Sequence, residues 1–262
     1  MAKYSKTGKC IWCGRTEPQV TFSDKPHVLP DALGGQIIGY DICDDCNHYF
    51  GTCTQQNPIS LDLEFKEIIN AFRVFGGELT SESYKKLKSI FFSYRHSKAF
   101  ISFRTAFKRI SPQKHARLFK RALFNVFLQK YHFATGNGNS SEFDEIRKFV
   151  RYDIGDQVVG YVRNHIILRE QDTTHPDIPM NEHLIEEIEK YGVFTLHCIG
   201  HIFFLVVRPI TFSVMKTEFL EQKASKYILP IHGDEGICTL QNIMQLDFLM
   251  QRFNSGGNFR FE

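Results

Sequence analysis

The stretch that decides the reading runs from Cys10 to Gly51. It holds Cys10-Ile11-Trp12-Cys13, then 29 residues, then Cys43-Asp44-Asp45-Cys46-Asn47-His48-Tyr49-Phe50-Gly51. Between the cysteine pairs lies Lys25-Pro26-His27-Val28-Leu29-Pro30-Asp31-Ala32-Leu33-Gly34-Gly35. Each Cys-x-x-Cys supplies two thiolates from one tight turn, and two such pairs can close a tetrahedral zinc site. A segment this short cannot bury a sufficient core alone. A structural zinc ion contributes about 10 kcal/mol or more to folding such a unit. A disulfide or redox pair would not explain why the motif occurs twice. Cys10, Cys13, Cys43 and Cys46 are therefore expected to hold structural zinc.

His27 lies between the pairs, and Asn47 directly follows the last cysteine. If Cys43 and Cys46 anchor a helix start, Asn47 falls in its first turn. Outward N–H groups and the helix dipole there would suit a phosphate. Imidazole is the natural general base near neutral pH, and an amide oxygen is a hard ligand suited to magnesium or manganese. The plainer readings are a solvated loop histidine at His27 and a helix N-cap at Asn47.

The order Cys-x-x-Cys, His-x-x-Pro, a Gly-Gly turn, and Cys-x-x-Cys-Asn resembles the four-cysteine zinc branch of the HNH (ββα-metal) endonucleases. The resemblance covers residues 10–51. It implies that His27 activates water against a phosphodiester, that Asn47 is a ligand of a catalytic Mg²⁺ or Mn²⁺ ion, and that the four cysteines bind structural zinc. The family usually has a metal-binding acid just before the histidine, where this chain has Pro26. Asp24 and His48 are the candidate replacement ligands.

Charge adds a second signal. The net charge is +3, but residues 1–83 carry −4, residues 84–141 carry +13 with no acid, and residues 142–262 carry −6. An acid-free basic segment is the footprint expected for a polyanion. A basic face for a protein or membrane partner is the alternative. Of seven cysteines, Cys53, Cys198 and Cys238 are left over, which argues against a secreted disulfide framework. The N-terminus has no apolar run and no stretch is long enough for a membrane span. A cytoplasmic protein is expected.

Along the chain, Val20–Phe22 and the Val28 region read as short extended pieces, with a helix starting near Cys46. Residues 52–60 read as a connector. Ser60 reads as the N-cap of a helix carrying Leu61, Phe65, Ile68, Ile69 and Phe72, stopped by Gly76-Gly77. A helical or mixed stretch begins near Ser81. Residues 89–105 have strand character. Pro112 precedes a helix from about Gln113 to Phe133, with Lys114, Arg117, Lys120 and Arg121 on its polar stripe as candidate nucleic-acid contacts. Gly136–Ser141 is the clearest boundary. A short helix at 143–150, a strand at 157–168, a helix at 181–191 and a hairpin of 193–198 with 201–207 follow. Helices near 215–226 and 240–252 and a mobile tail complete the chain. His197 and His201, with Cys198 between, allow a second metal site, although polar strand residues explain them as well.

The expected fold class is α+β: a small zinc-stapled ββα-metal module over residues 1–58, a basic and mainly helical nucleic-acid-binding region over 59–140, and a C-terminal α+β domain over 141–262. The expected function is a metal-dependent endonuclease acting on nucleic acid, with DNA the expected substrate and RNA left open, and with a C-terminal domain available to a protein partner. By fold-level analogy such proteins belong to prokaryotic and phage defence loci. The rivals are an inactive zinc-containing nucleic-acid-binding protein, favoured by Pro26, and an interaction subunit docking on another enzyme.

Overall fold

A computed structural model describes residues 3–55, 57–75, 87–95, 100–162, 180–199, 201–208, 237–246 and 248. The architecture is α+β, built of helices with small antiparallel sheets.

A long helix, α4 (Pro112–Thr135), organises the packing. (The helices before it are α1, Asp44–Gly51; α2, Leu61–Phe75; and α3, Thr105–Lys108.) The Ser111 hydroxyl accepts from the amide of Lys114, and Pro112 sits at the first helical position, where a missing N–H costs nothing. Gly136 ends the helix at φ +73°, its amide returning to the carbonyl of His132. α2 starts the same way, with the Ser60 hydroxyl accepting from the Leu63 amide at 3.2 Å. The apolar face of α2 packs on α4 through Phe65 and Phe72, whose rings lie 6.1 and 6.5 Å from that of Phe119. All three rings are buried, and Phe119→Ala would cost about 3–5 kcal/mol.

The segment with strand character is a hairpin, β1 (Phe92–Arg95) with β2 (Phe100–Phe103), in register Phe92 to Phe103. The main sheet is antiparallel in the order β4-β5-β3-β6, where β3 is Val159–Val162, β4 Val193–Cys198, β5 His201–Val206 and β6 Ile237–Thr239. It rests on α4 through ring contacts of Phe127 with Phe194 and of Phe119 with Phe203, at 5.3 and 5.7 Å. Helix α6 (Glu182–Tyr191) packs on β4 of this sheet, and α5 (Asp144–Tyr152) packs on α4. One contiguous cluster of buried apolar side chains extends from Cys10 to Phe248 and draws on all three segments of the chain.

Several expectations need correction. The polar stripe of α4 faces solvent only at its start: Lys114 is exposed, but Lys120, Arg121 and Lys130 are buried along with nearly every residue from His115 to His132. The helix is covered on all sides, because α2, α5 and the sheet each bury a face of it. Residues 240–246 form a 3-10 turn at Ile243–Gln245 and not a helix, since Asn242 and Gln245 close a capping box that Leu246 leaves in extended conformation. His197 and His201 do not form a metal site, because they point to opposite faces of the hairpin: His197 is exposed, whereas His201 is buried under Phe72 and against the Tyr161 hydroxyl. The predicted elements near 81–86 and 215–226, the end of the 157–168 strand and the tail fall outside the described residues.

Candidate active site and metal centre

The first cysteine pair sits on a tight turn. The Gly14 amide donates to the Cys10 carbonyl, the Cys10 amide donates to the Arg15 carbonyl, and Gly14 takes φ +70°. The second pair straddles the start of α1, with Cys43 as N-cap residue and Cys46 one turn in. The four Sγ atoms all lie within 4.8 Å of one another, and Cys13 Sγ is 3.6 Å from Cys43 Sγ. A tetrahedron with zinc–sulfur bonds of about 2.3 Å has sulfur–sulfur edges of about 3.8 Å. The donor set and its spacing fit structural zinc, in a closed four-thiolate site that leaves no open position. Among the described residues it is the one convergent group of three or more His, Cys, Asp or Glu ligands.

His27 opens a short antiparallel pairing. It forms a bridge with Ile38, and the Val28 amide donates to the Ile37 carbonyl. The turn between is a 3-10 helix at Asp31–Leu33, closed by Gly34 at φ +84°. Gly35 then passes so close to Leu29 that a Cβ there would stand 2.1 Å from the Leu29 carbonyl oxygen, so the position requires glycine. This return places the Gly35 carbonyl 2.9 Å from His27 Nδ1. A carbonyl can only accept, so Nδ1 carries the proton and the lone pair is left on Nε2. The imidazole is half-buried.

The helix carrying Asn47 is tied to the segment before His27. The Asp44 carboxylate accepts from the hydroxyls of Thr21 and Ser23 and from the Asp24 amide, at 2.5 to 2.8 Å. Partial burial raises the Asp44 carboxyl, but these donors outweigh it and hold it below the usual range. The Asp44 amide donates to the Thr21 carbonyl. The first turn of α1 thus carries two carboxylates, Asp44 and Asp45, whose charge works against an anion at that helix end. Asn47 makes the first intrahelical bond, to Cys43, so the N-cap role belongs to Cys43. Asn47 is half-buried, the Asp24 carboxylate is exposed, and exposed His48 has Nδ1 3.2 Å from the Thr52 hydroxyl. Asp24, His27 and His48 do not converge as the cysteines do.

The candidate nucleic-acid contacts divide. Lys114 is exposed. Arg117 pairs with Asp153 at 2.7 Å and Lys120 with Asp156 at 2.6 Å. Arg121 donates to the carbonyl of Val150 and, at 2.7 Å, to the Tyr49 hydroxyl on α1. Asp153 and Asp156, from the third segment, are themselves exposed and pair with Arg117 and Lys120, while Arg121 is turned inward to the Val150 carbonyl and Tyr49.

Sequence reasoning did not single out two arginines beside the thiolates. Arg15 Nε donates to Cys13 Sγ and Arg151 Nε to Cys46 Sγ, both at 3.4 Å. Arg15, two residues past a ligand, could have been suspected; Arg151 lies 105 residues from its cysteine and has no local signal.

The zinc-tied cysteines, the His27 hairpin and the helix bearing Asn47 follow one another within a single short segment. Residues 10–59 match the HNH endonuclease family. The HNH match spans the whole zinc module through to the residue before the N-cap of α2. No curated protein and no solved structure matches the chain. Among the described residues, no helix is long and apolar enough to cross a membrane.

Proposed function

We propose that the chain is a metal-dependent endonuclease that hydrolyses phosphodiester bonds in nucleic acid, DNA by preference, with His27 as general base. The observation that carries this reading is the hydrogen bond from His27 Nδ1 to the Gly35 carbonyl, within a segment that matches the HNH family. With the Nδ1 proton held there, the neutral imidazole carries its lone pair on Nε2, the nitrogen that can take a proton from an attacking water. The resulting imidazolium charge is stabilised by the Gly35 carbonyl dipole. Asp24, Asn47 and His48 offer a carboxylate, an amide oxygen and an imidazole, types that suit Mg²⁺ or Mn²⁺. These ions commonly bind through few protein ligands and complete their shell with water and substrate phosphate, consistent with donors that do not converge on their own. Such an ion, when bound, supplies positive charge for the phosphorane and the leaving 3′ oxygen.

For contact with the nucleic-acid backbone, the exposed cations Arg104, Lys108, Arg109 and Lys114 are better placed than Lys120 and Arg121. They lie on α3 and the approach to α4, in the acid-free segment, and point to solvent. A cytoplasmic defence role and a protein partner for residues 141–262 are compatible with this reading and belong to it only by analogy.

An inactive nucleic-acid-binding module is favoured by one observation. Pro26, at the position of the family's acid, is buried, and its carbonyl accepts from the Gly39 amide, which leaves no ligand there. The purified protein should nick supercoiled plasmid on addition of Mg²⁺ or Mn²⁺ and stop on chelation. Binding without nicking under either ion would support the inactive module.

A further inference from the structure

A zinc ion held by four thiolates is a net dianion, and an anion enclosed by apolar side chains needs compensating charge and donors. Cys10, Cys43 and Cys46 are buried among Trp12, Phe50 and Ile42. Two cationic donors reach the sulfurs, one two residues past Cys13 and one 105 residues beyond Cys46. Arg15 meets Cys13 and is itself paired with Asp45 at 2.8 Å, on the exposed side of the site. Arg151 meets Cys46 on the inner side.

Arg151 is fixed for that contact from several directions. Its guanidinium lies 4.0 Å from the centre of the Tyr49 ring, one turn beyond Cys46 on α1. The Tyr49 hydroxyl is in turn held by Arg121 of α4, which also binds the carbonyl of Val150, the residue before Arg151. Stacking on Tyr49 sets the plane of the guanidinium, and the Arg121 bonds set both Tyr49 and the end of α5. The fork is therefore oriented before the metal is considered. Asp45, the acid next to Cys46, is taken up by Arg15.

We propose that Arg151 is a positioning residue of the zinc site: it donates to the Cys46 thiolate and supplies half of the positive charge that balances the tetrathiolate, so that retention of the metal depends on the docking of α5. Removing an oriented donor to a metal ligand typically lowers metal affinity about 10- to 100-fold. The inference rests on zinc occupancy and not on nuclease activity. Zinc content of the purified protein, measured first, tests that premise apart from any nuclease assay: a zinc-free protein would overturn both the assignment of the cysteines and the role of Arg151.

The test compares parent, Arg151→Met and Arg151→Lys as full-length proteins. Zinc transfer to excess chromogenic chelator should be about 10- to 100-fold faster in Arg151→Met. Arg151→Lys should recover only part of the difference, since a lysine supplies charge without the oriented Nε–H. In the cobalt-substituted proteins, the thiolate-to-metal charge-transfer band should move to longer wavelength in Arg151→Met, because a thiolate without its donor releases charge more readily. Lost packing alone would not move that band. If Arg151→Met does not fold, the same two readouts on Arg151→Lys decide. Release rates within twofold of the parent together with an unmoved band would overturn the proposal.

Discussion

His132 Nε2 stands 2.9 Å from Asp41 Oδ2, and both side chains are buried although 91 residues separate them. The Gly138 amide donates to His132 Nδ1 at 3.1 Å, so the imidazole is neutral and its Nε2–H is the donor to Asp41. Asp41 also accepts from the Ser5 hydroxyl and from the amides of Lys6, Thr7 and Gly8, at φ +59°. One carboxylate thus joins the segment Ser5–Gly8, the rest of the zinc module and the end of α4. Asp41→Asn should lower stability by about 3 kcal/mol, since it leaves several buried donors poorly matched. Burial by itself would raise the Asp41 carboxyl, but His132 and the amides of Lys6 and Thr7 hold it at about 2. Its contribution is complete above the unfolded value of about 3.9 and is lost as pH falls through about 2. Acid unfolding of Asp41→Asn should therefore be flatter than the parent's between those values. A parallel loss in both proteins would count against the assignment.

Asp62 gives the opposite pH dependence. Burial in the first turn of α2 pushes its carboxyl up to about 6. A raised acid contributes stability that is full below the unfolded value near about 3.9 and disappears as pH rises through about 6. Because the side chain is only half-buried by exposure, Asp62→Asn should gain on the order of 1–2 kcal/mol over the parent at pH 8 and little at pH 4. Denaturant unfolding at the two pH values checks this. An equal effect at both would mean that the carboxyl does not titrate in that window.

Gly35 positions the base through its own carbonyl. A methyl group there would meet the Leu29 backbone, which cannot retreat as a side-chain tip could. Gly35→Ala should cost about 1–3 kcal/mol and pull the carbonyl from His27. Cleavage should fall while zinc content stays at the parent level. Full activity in a stable Gly35→Ala protein would show that the His27 tautomer is not set by this bond.

Salt dependence separates the two sets of cations. Neutralising Lys108 and Arg109 together should reduce the slope of log affinity for duplex DNA against log salt by about 1.8, as for two lost phosphate contacts. Lys120→Met should leave the slope alone and lower stability, because Lys120 is buried against Asp156 and the Gln157 carbonyl. A flattened slope in Lys120→Met would reverse the assignment.

The zinc module was legible because its signals are local: four cysteines in two turns, the His27 segment and the Gly-Gly return all lie within one short stretch. α2 and α4 were equally plain, since Ser60, Ser111, Pro112 and Gly136 mark their ends by chemistry that acts within one turn. What could not be read was partner choice across the chain. The run of positive charge at 84–141 suggested an outer basic face, yet Arg117, Lys120 and Arg121 meet Asp153, Asp156 and the Val150 carbonyl from the third segment. Local charge records which residues are basic, not which acids the fold brings to them. Arg151 at Cys46 and His132 at Asp41 are hidden for the same reason. At Ile243–Gln245 a single 3-10 turn stands in place of the expected helix, closed by the Asn242 capping box, a pairing of two side chains with backbone that only the folded turn displays.

The account turns on the Nε2 lone pair of His27. The most direct measurement is the single-turnover cleavage rate of His27→Ala against the parent, with Mg²⁺ or Mn²⁺ present and zinc content and DNA affinity determined on the same samples. A fall of about 10²- to 10⁴-fold with zinc and affinity unchanged is the predicted result. Cleavage by His27→Ala at the parent rate would contradict the assignment of His27 as the base.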